Sequence, residues 1–337
     1  MVRIEGKQLS FSFPEIHEDA ELRVTFQRTL RIPDDDREYP LPPGLGAFPM
    51  AHVDDHADRV GAKWRTHGGV MLPMYQAEAM WLSFSGDYPM AVKVAAGKIN
   101  AVTGDAWDPA LHKRPQDYLV TPNQPWLDGF VVEKGVIRQF VAMPLGAGYT
   151  AEEQLTGAAE HGGVQIVVYP LEASIWEEMQ RRQRGAGRRL LSESICADMA
   201  VCYSGAPDMG LGAGGRMKQE IYTDRRKLED WDTTVSARCF VHLVNAMLWR
   251  QVTGEEPPPT PVTAAEYARH GLPWFDYYAE GEEAPEAQPT LAGLEGIAGM
   301  GNKKKDVPLP ENEPVETPHV VKLGPKKVKG QVRDGEF

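Results

Sequence analysis

The sequence predicts an α+β fold: a mostly antiparallel, β-sandwich-like core, helices packed against it from the C-terminal part, and a disordered tail. Three observations carry this expectation. Apolar and polar residues alternate with a period of two in many short runs before residue 170. Helical spacing and capping signals appear only after that point. From about residue 281, Pro, Glu, Lys and Gly dominate and large apolar residues become sparse. The expected organisation is one unit over residues 1–280, β-rich to residue 170 and helical beyond it, with residues 281–337 as a disordered or extended tail.

Leu9, Phe11 and Phe13 alternate with polar residues, as do Leu22, Val24 and Phe26, and Met90, Val92 and Val94. VMLPMYQ, AMWLSF, KINAVTG, GFVVEKG, VIRQFVAM and VQIVVYP add short runs bounded by Gly or Pro. FVVEKGVIRQF reads as a hairpin turning at Glu133-Lys134-Gly135. No strand–helix–strand alternation precedes residue 170, so a sandwich or barrel is favoured over a parallel sheet. Residues 33–49, PDDDREYPLPPGLGAFP, are too rich in Pro and Gly for regular structure and read as a surface excursion wrapped on the sheet. Ser174 with Glu177 forms a capping-box pattern that opens a helix through Arg184, ended by Gly185. A second helix is expected over residues 235–252, where Phe240, Val244, Met247 and Leu248 share a face and Gly254 stops it. Thr263 and Glu266 open a third, short helix that ends at Gly271.

The 337 residues are 42% hydrophobic and 25% charged, which is ordinary for a globular chain with a sizeable core. The formal net charge is −12, and the tail carries ten acids and eight bases, so −10 rests on residues 1–280. An acidic chain lacks the basic face that nucleic-acid binding needs and is repelled by anionic membrane surfaces, so neither partner is expected. The first residues alternate rather than form an apolar leader, and no run approaches a membrane span. Cys196, Cys202 and Cys239 are an odd, small set that suits a reducing, cytoplasmic compartment better than a disulfide framework.

Residues 138–170 are the most informative stretch for function. Two strand-like runs bracket a long polar, glycine-rich loop, and long loops in compact domains are often functional. Glu152, Glu153, Gln154, Glu160 and His161 are its candidate residues, because paired carboxylates can do acid–base work. Thr150 and Glu153 also make a capping box, so a helical turn followed by a glycine hairpin accounts for part of it. In HVDDHAD, residues 52–58, His52, Asp55 and His56 are candidate metal ligands; two His at i and i+4 share a helix face, although no third ligand is identifiable. The plainer reading is a short helix whose acids complement its dipole. In MGLGAGGRMK, Gly212, Gly214, Gly215 and Arg216 are candidate anion ligands, since successive backbone N–H groups can form a nest. Neither the P-loop nor the dinucleotide fingerprint is matched there. Arg181, Arg182, Arg184, Arg188 and Arg189 cluster where cations suit a helix C-terminus. The aromatic run Pro273-Trp274-Phe275-Asp276-Tyr277-Tyr278 reads as a terminal segment clamped on the core, with stacking on a sugar or base as the functional alternative. The cysteines lack metal spacing, and Ser204-Gly205 lacks the nucleophile elbow.

The segments RQFVAMPLGAGYTAEEQLTG, GGVQI, MGLGAGGRMKQEIY and LPWFDYY resemble a family of uncharacterised proteins. The resemblance spans about half of the chain and implies one folded unit, with no activity or cofactor attached. Three functional readings follow from the residues. The first is a binding or assembly module that meets a protein partner, or a second copy, through the polar loop, with no cofactor. The second is a hydrolase-like or metal-assisted enzyme joining the loop carboxylates to His52 and His56. The third is a protein that binds an anion or phosphate ligand between the glycine run and the arginine cluster.

Overall fold

A computed structural model describes residues 1–35, 37–184, 208–277, 284–307 and 312–323. The alternating runs of the first half all become strands. Glu21–Thr29 lies between Gln8–Ser12 and Ala79–Ser85, antiparallel to both. From Ala79–Ser85 the ladder passes to Val136–Pro144 and on to Asp208–Lys218, again antiparallel. A second run sets Met90–Ala96, Val164–Pro170 and Ala237–Asn245 side by side, with Val70–Met74 added in parallel to the last. The two runs join where Asp208 and Met209 pair with Val244 and Leu243. The result is the α+β architecture with a sandwich-like core that the sequence predicts. Its hairpin turns at Gly135, which holds φ at +74°, a conformation that costs glycine nothing.

One large apolar cluster unites both runs, from Leu9, Phe11 and Phe26 to Val92, Ile166 and Val241. Every residue of Met90–Ala96 and of Val164–Pro170 is buried, so both faces of these strands are covered. Each fully buried Val, Leu or Ile side chain there contributes about 1.5–3 kcal/mol by leaving water. Lys93 lies within this buried strand and is paired: its Nζ is 2.6 Å from Asp117 Oδ2 and donates to Ala110 O at 2.5 Å. His112 Nδ1 meets the same Asp117 oxygen at 2.8 Å.

The second half departs from expectation in three places. Residues 235–252 are not one helix. Ala237–Asn245 is a strand, and only Ala246–Thr253 is helical. The apolar spacing of FVHLV fits either structure; ladders on both sides, to Val164–Pro170 and Val70–Met74, decide for the strand. Asn245 then caps the helix by accepting from the Met247 N–H, and Gly254 ends it at φ +83°. The glycine run 209–218 is likewise a strand, within Asp208–Lys218, and not a loop. A Cβ on Gly215 would lie 2.2 Å from Pro33 O, and one on Gly212 2.8 Å from Tyr149 O. Glycine is there because neighbouring backbone comes too close for a side chain. Finally, folded structure extends past residue 281. Helices Pro289–Ala292 and Ile297–Lys304 and the link between them bury Leu291, Ile297 and Leu294 respectively. Residues 281–283, 308–311 and 324–337 of the expected tail lie outside the described residues.

The helix Ala173–Arg184 starts one residue before Ser174, which therefore sits inside it rather than capping it; Gly185, its expected stop, lies outside the described residues. Helices Ala151–Thr156 and Ala264–Arg269 carry the expected capping boxes of Thr150 with Glu153 and Thr263 with Glu266. No helix among the described residues is long and apolar enough to cross a membrane.

Candidate functional site

On Ala79–Ser85, Met80, Leu82 and Phe84 face the core, so Trp81 and Ser83 face the other way. Trp126 pairs across from Ser83, which makes it a diagonal neighbour of Trp81. The two indoles meet edge to face, centroids 6.4 Å apart at 73°. Asp128 follows two residues after Trp126, and a period of two brings it to the same side. The far wall of the space above them is the Pro-rich connector, through Leu41, Pro42, Pro43 and Gly44. Phe275 and Leu323 close the roof, from strands Trp274–Tyr277 and Val320–Leu323, which pair in parallel. Leu41 and Phe275 exchange both backbone hydrogen bonds, at 2.8 and 2.9 Å, and so tie connector to roof. The cleft is open to solvent and measures about 180 Å³. Tyr277 stands beside it, its ring 4.7 Å from that of Trp126. Tyr278, the last of the aromatic run, lies outside the described residues.

Asp128 is the titratable residue that lines this otherwise apolar cleft. Gln219 grips it twice: Asp128 N–H donates to Gln219 Oε1 at 3.0 Å, and Gln219 Nε2 donates to Asp128 Oδ2 at 2.6 Å. Burial pushes its carboxyl up to about 7, and the Gln219 amide offsets only part of that. Other buried or nearly buried acids are better matched. Glu78 has Arg28 at 2.7 Å, Asp117 has Lys93, and Asp34 has Arg138 at 2.7 Å. Asp224 accepts from Tyr118 Oη at 2.6 Å and Trp231 Nε1 at 3.0 Å. Among the described residues Asp128 has one side-chain donor and no cation. The buried Trp81 indole N–H, in the same cleft, has no acceptor.

The polar loop is built differently from its sequence promise. Glu153 is occupied by its cap, accepting from Thr150 Oγ1 at 2.7 Å and Gly148 N at 2.7 Å. Glu152 is buried and accepts the backbone N–H groups of Glu160, His161 and Gly162, at 3.3, 2.8 and 2.8 Å. Gln154 reaches across to Glu295, exchanging two hydrogen bonds with its backbone. Glu160 is exposed and stands 3.5 Å from His161 Nε2. The two carboxylates of the helix thus hold backbone and do not face each other as an acid–base pair.

His161 does meet other imidazoles, at a site that no motif announced. Its ring lies 6.1 Å from that of His67, which stacks on Phe240 at 4.9 Å. Phe240 stacks on His242 at 4.3 Å, and His242 on Trp64 at 4.4 Å. Burial holds His67, His161 and His242 below the usual imidazole value, His242 down to about 4, and Lys63 pushes the same way. His242 Nε2 donates to Gly68 O at 3.1 Å.

His52 closes the short strand Ala51–His52, while Asp55 and His56 sit in the following 3₁₀ turn, Asp54–His56. Among the described residues, no three His, Cys, Asp or Glu side chains are placed to hold a metal ion. Gly212 pairs with Val141 in the ladder to Val136–Pro144, while Gly214 and Gly215 fall at a shift of register in that ladder, where Val141 and the Pro33 backbone approach them closely. Arg216 is bound to Glu133 at 2.9 Å and faces Glu38 at 3.6 Å. Arg182 pairs with Glu178 on its own helix, and Arg188 and Arg189 lie outside the described residues, as do Cys196, Cys202, Ser204 and Gly205. Cys239 is buried and its thiol is pushed up to about 12, away from the reactive thiolate.

No protein family, curated protein or solved structure matches the chain.

Phe275 and connector residues 41–44 belong to segments the sequence singled out, whereas Trp81, Trp126 and Asp128 carry no motif. A signal existed: Trp126 and Asp128 alternate in PWLDGF, and Trp81 alternates with core residues in AMWLSF. A tryptophan on the outward face of a strand needs a cover, and the Pro-rich connector supplies one.

Proposed function

We propose that this protein is a binding module that takes a small, largely apolar molecule into the cleft between Trp81, Trp126 and Phe275. The observation that carries this reading is Asp128: a buried carboxyl lining an aromatic cleft, with an unusual proton affinity and too few partners of its own. Binding pockets combine apolar and aromatic walls with a few placed polar groups, and perturbed acids cluster at such places. The volume corresponds to about six waters at ~30 Å³ each, which sets the scale of the ligand. An enzymatic reading based on the loop lacks its acid–base pair, since Glu152 and Glu153 are engaged by backbone.

The test is a thermal-shift screen of small aromatic and aliphatic fragments against the protein and its Trp126→Ala variant. A ligand at ~100 times its dissociation constant adds about 2.7 kcal/mol of stability. Hits that disappear in Trp126→Ala support the cleft. Hits of equal size in both proteins place the ligand elsewhere and sink the reading.

A further inference from the structure

The geometry points to an organic ammonium ion as the ligand class of the Trp81–Trp126–Asp128 cleft, an inference that rests on the binding-module reading. Three independent features of the site agree. First, the walls are ring faces and edges: Trp81 and Trp126 at 73° to each other, with Phe275 in the roof and Tyr277 at 64° to Trp126. Aromatic rings carry negative charge on their faces and attract cations, tryptophan most strongly. Second, the polar group in the cleft is an acid. Its Oδ2 receives one hydrogen bond from a neutral amide, and no cation of the described chain answers its charge. The folded protein supplies cations to Glu78, Asp117 and Asp34, three backbone N–H donors to Glu152, and Tyr118 and Trp231 to Asp224, whereas the Asp128 carboxyl has, among the described residues, a single donor, the Gln219 amide. Third, the chain carries a net charge of −12, which favours the approach of cations and disfavours anions.

Asp128 is faced by Gln219 from the end of Asp208–Lys218, by the Phe140 backbone, and by the indoles. Lys218 and Glu220 line a separate crevice with Trp126 and Gln219. They carry opposite signs, so neither neutralises the cleft as a pair. A ligand ammonium entering between the rings pairs with ionised Asp128 and exchanges the cost of a lone buried carboxylate for an ion pair. A carboxylate or phosphate ligand would meet that same group as a like charge.

One other ammonium source is covalently close. Lys326, Lys327 and Lys329 follow Leu323, which lines the cleft. The assignment is to a free small molecule, and the test separates the two.

The experiment is calorimetric titration of the full chain at pH 8 with the compact cation tetramethylammonium and three phenyl probes of matched size: 2-phenylethylammonium, 2-phenylethanol and phenylacetate. The ammonium probes are expected to bind at least about tenfold more tightly than the alcohol, the scale of a desolvated cation–π contact with an ion pair. Phenylacetate is expected not to bind. Asp128→Asn should remove the preference for charge, and Trp126→Ala should remove binding, with unchanged far-UV circular dichroism and a retained cooperative unfolding transition certifying both folds. If the alcohol or phenylacetate binds as well as the ammonium ions and Trp126→Ala abolishes it, the cleft stands and the ammonium assignment falls. If no probe binds, both fall. A variant with Lys326, Lys327 and Lys329 all changed to Ala should bind the probes as the parent does. Binding tightened tenfold or more in that variant would show the tail occupying the cleft, and would overturn the free-ligand assignment.

Discussion

A carboxyl group moved from water into an apolar cleft holds its proton to higher pH, because burial penalises the charged form. Asp128 is such a group, with its folded value raised to about 7 from an ordinary 3.8. Between those two values the folded chain binds more proton than the unfolded chain does. Its contribution to stability is therefore complete below about pH 4, declines as pH rises to about 7, and is lost above that. Asp128→Asn removes the titration. Relative to the parent, this variant should gain on the order of 2 kcal/mol between pH 5 and pH 8, since a tenfold difference in proton affinity is worth about 1.4 kcal/mol. Urea unfolding of both proteins at the two pH values measures it, and a pH-independent difference between them would contradict the assignment. The sequence marks this residue only by its alternation with Trp126. Its chemistry depends on Gln219, ninety-one positions away, and on a roof drawn from the far end of the chain.

The helix Ala151–Thr156 shows what local pattern can and cannot carry. Its capping box and its Gly157 end are legible in the sequence, because both involve residues three to seven apart. The role of Glu152 is not. Glu152 points away from the helix to gather three N–H groups of residues 160–162, and by doing so gives the long glycine loop its shape. Replacing Glu152 by Ala leaves these donors without an acceptor, that of Gly162 in a buried place, at a cost of about 2 kcal/mol. Hydrogen exchange at residues 160–162 should accelerate more than the global loss of stability explains. Unchanged protection there would show that the loop holds itself without the carboxylate. The strand Ala237–Asn245 marks the opposite limit. CFVHLV is apolar at helical and at strand spacing alike, and only ladders to residues 70–74 and 164–170 choose between them. Pairings that distant leave no local trace.

At the scale of the molecule, the C-terminal part belongs to the body of the fold and not only to a tail. Composition argued for disorder from residue 281, since large apolar residues are rare there; but Leu291, Leu294 and Ile297 are few, and all three are buried. Ile297→Ala should cost about 2–5 kcal/mol, as deletion of fully buried aliphatic groups does. Guanidinium unfolding reads this directly; a loss under about 1 kcal/mol would mean that the helix Ile297–Lys304 merely rests on the surface. The same scale gives new meaning to the glycine-rich strand Asp208–Lys218. By composition it is the plainest stretch of the chain, yet around it the connector at Pro33, the residue Tyr149 and the side chain of Val141 all approach within 3 Å of where a Cβ would stand. A surface lysine can vary widely without the fold noticing. These glycines have no smaller or equal substitute, so the tolerance of this protein to sequence drift is low along this strand.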